Sequence, residues 1–354
     1  MLLAIFWAGS TLAQIAPDTS LQPPALTLSG FVDVYFSYDF NRPPDHERPA
    51  FLYNHNRHNE FNANLALLRV GYEQAGVRGA VALMAGTYAQ YNLAHEQPLL
   101  QHVFEAWAGL RLAPQLWLDA GIFPSHIGFE SAISLENWTF TRSLLAENSP
   151  YYLAGALLTY APNERWTLAG LVINGWQNIR ETSENSNKAI GTQVSFSPRE
   201  EITFNWSTFT GQEQPDWAPQ WRYFQNFYGQ MQLTERWGLI AGLDYGWQQA
   251  QPRSRRYDRW YSPVVVVRYA VSEKVALAGR AEHYNDRHGV IIEVSTPGGF
   301  RTSGASLGLD YHPARNVGLR VEVRGFMARD PLFTRGLAQT QRNVFTTSSL
   351  AISF

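Results

Sequence analysis

The chain has 354 residues, a formal net charge of −2 at pH 7 and no cysteine. The absence of cysteine excludes a disulfide framework and a thiol nucleophile, and the small net charge gives no electrostatic reason to expect nucleic acid as a partner. Charged residues make up 16% and aromatic residues 14% of the sequence, whereas an ordinary soluble domain contains about 25% charged residues. This composition favours a transmembrane β-barrel, which places aromatic side chains at both membrane interfaces.

The first residues read as a secretory signal. An apolar run ends in small residues near Ala13, although no lysine or arginine precedes it, and such a run is typical of a signal peptide. A buried N-terminal helix is the alternative, which the polar residues that follow at once disfavour. The sequence therefore predicts a signal peptide at residues 1–14, a periplasmic linker at 15–25 and a barrel at 26–354.

Residues 27–40 set the pattern of the rest of the chain. Apolar residues alternate there with polar ones in strict period two, so one face is apolar and the other carries carboxylates. Similar segments recur to the end of the chain. We predict strands at residues 27–40, 64–72, 77–90, 102–112, 116–123, 152–160, 166–176, 190–196, 202–208, 221–233, 237–247, 261–271, 275–284, 301–311, 317–327 and 344–354.

The connections between these strands are of two alternating kinds. Seven are short and rich in Pro, Asn, Glu and Arg, and eight are longer and more variable. Long external loops that alternate with short periplasmic turns are typical of an outer-membrane barrel, which must close because open strand edges are not tolerated in lipid. We therefore predict an all-β fold, a closed antiparallel transmembrane barrel of about 16 strands, with 14 or 18 as alternatives. A soluble propeller or sandwich would not keep this alternation.

The last strand ends the chain on an aromatic residue. Val344, Leu350, Ile352 and Phe354 lie on one face of this strand. A terminal alternating strand that closes on Phe resembles the signal by which outer-membrane proteins are recognised for assembly. We expect Phe354 to be read by the barrel-assembly machinery, and both termini to lie in the periplasm of a Gram-negative cell.

Charged residues occur on the face opposite the apolar one, which in a barrel points into the lumen. They form either a charged pore wall that filters solutes or a set of mutually paired charges that stabilise the interior. The sequence leaves both interpretations open. The predicted wall residues are Asp33, Arg69, Arg78, Glu105, Arg111, Asp119, Asp244, Arg268, Arg280, Glu282, Asp310, Arg320, Glu322 and Arg324.

One segment breaks the alternation and carries a recognisable motif. The run FPSHIGFESA at 123–132 is continued by NWT at 137–139 and by TRSLLAENSPYY at 141–152. It resembles the putative β-barrel porin family of the second type, from Gram-negative outer membranes. WLDAGI at 117–122 and NGWQ at 174–177 fit the same family. The resemblance covers the whole mature chain, is most specific in about residues 100–180, and implies a closed outer-membrane barrel with a passive channel role.

By the strand count this segment is the third external loop. General porins fold their third loop inward to constrict the pore, and this comparison rests on position rather than on a motif. We expect residues 124–150 to fold into the lumen, with a helix over 135–147 capped by Ser131 or Ser134. The alternative is a lid outside the barrel. The predicted constriction residues are Glu130, Glu136, Arg142 and Glu147.

Catalytic and metal-binding patterns are weak. Ser125 with His126, and Ser10, are the candidates for a hydrolase, but no Gly-x-Ser-x-Gly, HExxH or Walker-type motif occurs. We therefore predict no enzyme, no cofactor and no metal. The residues weighed as ligands of a transition metal or of calcium lie in polar loops, which need no ion to explain them; they are His46, His55, His58, Glu213, Asp216 and Asp258.

The sequence thus predicts an outer-membrane porin that passes small hydrophilic solutes or ions by diffusion. The first alternative is a substrate-specific uptake or binding barrel gated by a partner, and the second is an outer-membrane hydrolase. The expected partners are outer-membrane lipid, lipopolysaccharide, the barrel-assembly machinery and small solutes, with a homotrimer as a possible assembly and no nucleic acid.

Overall fold

The computed structural model of the chain describes residues 25–182 and 184–354. The predicted signal peptide and all but the last residue of the predicted linker lie outside the described residues. Strands β1–β15 and β18 pair antiparallel with their neighbours and close into a barrel in the order β1-β18-β15-β14-β13-β12-β11-β10-β9-β8-β7-β6-β5-β4-β3-β2. The prediction of a closed antiparallel barrel with 16 strands is confirmed.

The structural elements are as follows. The barrel strands are β1 Ala25–Asp39, β2 Phe61–Gln74, β3 Val77–Ala85, β4 Val103–Ala113, β5 Leu116–Pro124, β6 Tyr152–Asn163, β7 Trp166–Ile173, β8 Ala189–Arg199, β9 Ile202–Gln212, β10 Trp221–Gln232, β11 Trp237–Gln249, β12 Tyr257–Ala270, β13 Val275–Asp286, β14 Phe300–Ala314, β15 Val317–Ala328 and β18 Arg342–Ser353. A separate hairpin consists of β16 Phe333–Arg335 and β17 Ala338–Thr340, and two short α-helices are α1 Thr87–Asn92 and α2 Leu144–Glu147. None of the helices in the described ranges is long and apolar enough to cross a membrane.

Period-two alternation explains the two surfaces of the barrel wall. In β11, Gly238, Ile240, Gly242 and Asp244 are buried, whereas Trp237 and its alternating neighbours are exposed or half-buried. A residue that points into the barrel is covered by the interior, while its neighbour points to the outer surface. The outer surface is therefore apolar, as a surface in contact with lipid must be. We name the two ends of the barrel by their connections, the short-turn end and the long-loop end.

The barrel closes where the chain begins and ends. Asp33 of β1 is in register with Ala351 of β18, and Gly30 and Phe354 exchange both backbone hydrogen bonds, at 2.7 and 2.9 Å. The ring of Phe354 lies over Gly30 so closely that a Cβ at Gly30 would be 2.3 Å from Cζ. The C-terminal aromatic residue therefore packs on the outer surface across the seam between β1 and β18.

Two predicted strands were too long: the strand predicted at 166–176 ends at Ile173, and the strand predicted at 77–90 runs into a helix. The segment 77–90 was expected to be extended throughout, but β3 ends at Ala85 and α1 begins at Thr87. Gly86 between them has φ 120°, a conformation that other residues rarely adopt, and a Cβ there would lie 2.5 Å from the carbonyl oxygen of Asn64. Glycine at this position lets the chain leave the barrel wall and turn into the helix.

Candidate functional site

The segment between β5 and β6, residues 125–151, makes most of the hydrogen bonds that leave the segment with strands other than β5 and β6. β5 and β6 are neighbours in the barrel, whereas β13 is the seventh strand beyond β6 in the ring. The segment contacts buried side chains of β1, β9, β10, β13 and β15. Its partners there are Asp33, Ser207, Asn226, Arg280, Glu282, Arg320, Glu322 and Arg324.

Arginines of β13 and β15 bind the backbone carbonyls of this segment. Arg320 donates to the carbonyl oxygens of Ser134 and Asn137, the latter at 3.0 Å. Arg280 donates to the carbonyl oxygen of Thr141, and Arg324 donates to that of Arg142 at 2.7 Å. Guanidinium groups provide several donors in a fixed plane, which suits them to hold a backbone that lacks helical or sheet partners.

Carboxylates from the same strands bind the backbone amides. Glu322 accepts from the Thr141 amide at 2.7 Å and from the Thr141 hydroxyl at 2.9 Å. Glu282 accepts from the Leu144 amide at 2.6 Å. The barrel wall therefore binds both carbonyl and amide groups of the segment's backbone, which holds the segment where it has little regular secondary structure.

This arrangement overturns the predicted helix over residues 135–147. A short 3-10 turn occupies Ser134–Glu136, and α2 spans only Leu144–Glu147. Neither Ser131 nor Ser134 caps a helix; Ser143 caps α2 by accepting from the Ala146 amide at 3.2 Å. The helix was expected from local residue preferences, but the charged wall competes for the same backbone groups and prevents the internal i to i+4 bonds.

The side chains of Glu130, Arg142 and Glu147 are buried, whereas Glu136 is exposed. The side chain of Glu130 is 3% exposed and lies 3.8 Å from Arg280, and it accepts from the Ser143 amide. The guanidinium of Arg142 stacks 3.7 Å from the ring centroid of Tyr151. Burial raises the pKa of the Glu130 carboxyl, although the nearby arginines oppose this shift.

Glu147 joins the segment to the first long loop, residues 40–60. Glu147 accepts from the Tyr53 amide at 2.9 Å, from the Asn54 side chain at 3.1 Å and from the Tyr151 hydroxyl at 3.0 Å. His55 of the same loop lies 3.0 Å from Asp33, which also accepts from Ser134 at 2.9 Å. Sequence patterns gave no signal for this contact between two loops, because neither loop has a periodicity that reveals its partner.

The predicted wall residues are buried or half-buried, and most are paired with one another. Within the described ranges, ten of them form five ion pairs: Arg69–Glu105, Arg78–Asp119, Arg280–Glu322, Arg320–Asp310 and Arg324–Glu282. Asp33 contacts His55, and Asp244 accepts from Asn226 at 2.7 Å. Arg111 lies 4.8 Å from the Trp117 ring, and Arg268 is half-buried on β12.

Inward-facing glycines receive the apolar side chains of the segment, a feature that the sequence reasoning missed. A Cβ at Gly238 would lie 2.4 Å from the indole of Trp138, and a Cβ at Gly318 would lie 2.4 Å from Leu135. Phe129 similarly contacts Gly242. Each glycine removes one inward side chain, which leaves a socket in the wall near the short-turn end.

Aromatic residues fill the interior near the long-loop end. Phe51 of the first long loop packs against Phe300 and Phe333, with centroid distances of 4.7 and 6.1 Å. Trp176 packs against Phe209 and Phe224 at 5.0 and 4.9 Å. We call this set the aromatic cluster. It consists of the half-buried Trp176 and the buried residues Phe51, Leu52, Phe209, Phe224, Trp260, Tyr284, Phe300, Phe326, Phe333 and Phe345.

The hydrolase candidates have no catalytic geometry in the described ranges. The hydroxyl of Ser125 accepts from the Ile127 amide at 3.2 Å. The imidazole Nε2 of His126 is 2.9 Å from the Thr208 carbonyl oxygen, and burial lowers the pKa of His126 to about 4. The two side chains are bonded to different partners. Ser10 lies outside the described residues.

The candidate metal ligands are likewise engaged elsewhere. His58 accepts from the Asp39 amide at 2.9 Å, His46 contacts the His58 carbonyl oxygen, and Asp216 accepts from Ser186. Glu213 accepts from the Trp176 amide, and Asp258 lies 3.6 Å from His288. Among residues 25–182 and 184–354, no three such side chains are grouped so as to hold a metal ion.

Solved structures with a similar fold include porins and outer-membrane channels. An anion-selective porin from Comamonas acidovorans is 9% identical with a TM-score of 0.62, over 94% of this chain and 100% of that chain. The outer membrane channel DcaP of Acinetobacter baumannii is 12% identical with a TM-score of 0.62, over 94% and 97%. OmpT of Vibrio cholerae, in its trimer form, is 8% identical with a TM-score of 0.61, over 94% and 100%. At such low sequence identities, these similarities establish a shared fold and nothing further.

The fold and the charged interior define an outer-membrane barrel of the porin class. The model of a family described as "Putative beta-barrel porin-2, OmpL-like" matches residues 25–354, and the chain belongs to this family. The resemblance inferred from the sequence motif is thereby confirmed. No curated protein matches the chain. Family and fold together point to a channel rather than to an enzyme.

Proposed function

We propose that the protein is a diffusion channel for small hydrophilic solutes or ions, and that residues 124–150 fold into its lumen and constrict it. The observation that carries this proposal is the binding of the segment to β13 and β15, on the far side of the ring from β5 and β6. A segment that reaches the inward-facing side chains of opposite strands has to pass through the interior. The charged groups there supply the field that discriminates between ions.

The proposal includes an orientation in the outer membrane. Residues 1–14 act as the signal peptide and 15–25 as the periplasmic linker, so that the short-turn end and both termini face the periplasm. Alternation of short turns and long loops supports this orientation, since β1 begins and β18 ends at the short-turn end. The chain has no cysteine, so Arg335→Cys in β16 gives a unique thiol, and a membrane-impermeant maleimide should label it in intact cells. Labelling only after lysis would contradict the orientation.

Planar bilayers test the channel. The purified full chain should give discrete conductance steps, and replacing residues 126–147 by a short Gly-Ser linker should raise the conductance of each step. Shortening residues 250–256, which lie in another long loop, serves as the matched control and should leave the step size unchanged. A well-folded protein that gives no steps, or a shortened variant with unchanged steps, would contradict the proposal.

The aromatic cluster favours a second candidate, a specific uptake barrel that is closed at rest and opened by a partner. Phe51 and Leu52 are 5% and 1% exposed within the cluster, so the first long loop adds apolar side chains where an open pore would hold water. This candidate predicts saturable binding of a solute and little conductance from the unmodified chain. Bilayer recordings that show large steps without any ligand would exclude it.

We also propose how the protein is assembled and what it contacts in the membrane. Phe354 packs at the barrel seam and is 69% exposed as a residue, which fits recognition by the barrel-assembly machinery before the barrel closes. A homotrimer and a contact with lipopolysaccharide are proposed by analogy with porins of the same fold. Native mass spectrometry of the protein extracted from membranes should give a trimer mass. A monomer mass under conditions that preserve a reference trimeric porin would contradict this assembly.

A further inference from the structure

Arginines face outward in one sector of the barrel, which consists of β12–β15 and β18. They lie at the long-loop end of these strands. Arg259 of β12, Arg301 of β14 and Arg342 of β18 occupy outward positions, and Arg329 directly follows β15. The strands β12–β15 and β18 are consecutive in the ring. We call these four residues the arginine row.

Strand register brings three members of the row together. The Arg329 amide donates to the Arg301 carbonyl oxygen at 2.8 Å, one step beyond the pair Thr302 and Ala328. Arg342 is in register with Met327, two residues before Arg329. Side chains at such positions on adjacent strands lie about 5–8 Å apart. Like charges at this spacing repel each other, and an anion bound between them would relieve this repulsion.

The protein itself supplies few anions to the row. The outward positions of β12–β15 and β18, within the bounds given above, include no Asp or Glu. The nearest carboxylate is that of Asp330, which accepts from the Gly298 amide at 2.8 Å, while Arg301 donates to the Gly298 carbonyl oxygen at 2.9 Å. Asp258 lies near Arg256 and His288. Among the described residues, the ion pairs within 4.0 Å contain no member of the row.

The row lies at the level of an aromatic girdle. Arg259 is between Tyr257 and Tyr261 on the outward face of β12 and in register with Trp247 of β11. Tyr and Trp concentrate where the hydrocarbon meets the head groups. The outward position of Arg259 therefore places this end of the row at the level expected for the head-group layer.

Matched strands on the other side of the barrel lack such charges. The outward positions of β2–β7, as the structure describes them, contain no lysine or arginine. Arg69 and Arg78 of those strands point inward and pair with Glu105 and Asp119. A general need for solubility would distribute the charges around the barrel, so their restriction to one sector indicates a local ligand.

We propose that the arginine row binds the phosphate groups of a phosphorylated glycolipid of the outer leaflet, that is, the lipid A part of lipopolysaccharide. Planar guanidiniums bind phosphate oxygens through paired hydrogen bonds, and adjacent strands present several of them to one head group. The inference rests on the orientation given under the proposed function, with the long-loop end outside, but not on conduction through the barrel.

Native mass spectrometry of the full chain in detergent, titrated with diphosphorylated lipid A, tests the site. The double variant Arg301→Gln/Arg329→Gln should bind this lipid about 25-fold more weakly, since each basic side chain at an anionic membrane surface contributes about a fivefold effect. Arg301→Lys/Arg329→Lys should retain part of the affinity. The control Arg165→Gln/Arg335→Gln, exposed arginines outside the row, should bind as the unmodified chain does.

The outcomes separate this inference from the channel. Equal binding by the unmodified chain and the Gln double variant, or equal binding of lipid A without phosphates, would overturn the lipid site. Both variants should show the same heat-dependent shift on gels as the unmodified chain, which verifies a folded barrel. Conductance is recorded in phosphatidylcholine bilayers without lipid A. A silent barrel that still binds lipid A through the row would refute the channel and leave the lipid site intact.

Discussion

Arg324 of β15 binds Glu282 of β13 across the intervening strand β14, with an Nη2 to Oε1 distance of 2.6 Å. Arg280 and Glu322 form a second pair across the same strand in the opposite direction, at 2.8 Å. The inward residue of β14 in register with Glu282 is Gly304, where a Cβ would lie 2.8 Å from Oε1 of Glu282. A small residue on the middle strand thus allows two buried pairs to form, and these pairs hold the segment 125–151.

Breaking one of these pairs should release the segment. Arg324→Gln removes the charge opposite Glu282, and both side chains are 0% exposed. Loss of one partner of a buried pair costs about 3–5 kcal/mol, because the other charge stays buried without compensation. We expect lower thermal stability, measured by the temperature at which the folded band is lost on gels, and larger or noisier conductance steps in bilayers.

The double variant Arg324→Gln/Glu282→Gln is the control for this experiment. It removes both charges and keeps hydrogen-bonding groups, so it should recover part of the stability lost in the single variant. A single variant with unchanged stability and unchanged steps would show that the pair does not hold the segment.

The packing of Trp138 against Gly238 can be tested by changing side-chain volume without changing charge. Gly238→Val places side-chain atoms where the indole of Trp138 lies, since even a Cβ would approach it to 2.4 Å. Overpacking of this kind costs about 1–3 kcal/mol. Trp138→Ala empties the socket, so the double variant should be more stable than the sum of the two single effects implies. Urea unfolding of the four proteins in one lipid system measures the coupling, and strictly additive effects would exclude the contact.

The sequence determined the barrel wall well because the wall follows one simple rule. Inward and outward residues alternate, so Asp33, Arg280 and Glu322 could be assigned to the interior from parity alone. The loops follow no such rule. The contact of Glu147 with Tyr53 and Asn54 joins residues about ninety positions apart, and the helix expected over 135–147 is replaced by contacts with wall arginines that no local pattern reveals.

The aromatic cluster decides between the two candidate functions. Phe51→Ser removes the ring that packs against Phe300, Phe326 and Phe333, and loss of a buried Phe side chain costs about 3–5 kcal/mol. If the first long loop closes the barrel, this variant should conduct where the unmodified chain is silent, or conduct more. Phe61→Ser, at a residue 88% exposed, is the matched control. Equal conductance of all three proteins would show that the cluster does not obstruct the path.

The buried imidazole of His126 predicts how stability depends on pH. Its pKa falls from 6.5 to about 4 in the folded protein because burial disfavours the charged form. Between these values the unfolded chain binds the proton and the folded chain does not, so the free energy of unfolding decreases as the pH falls from 6.5 towards 4. At pH 4.5 the contribution of this residue should be a loss of about 2–3 kcal/mol relative to pH 7.5. Glu130, with its raised pKa, contributes with the opposite sign, and His58, with its lowered pKa, contributes with the same sign. The comparison is therefore made between the unmodified chain and His126→Gln, which retains a donor for the Thr208 carbonyl oxygen.

Urea unfolding at the two pH values should show a smaller pH-dependent loss in His126→Gln, whereas His95→Gln, at an exposed site, should behave as the unmodified chain does. An identical pH dependence in His126→Gln and the unmodified chain would mean that His126 is not buried in its neutral form.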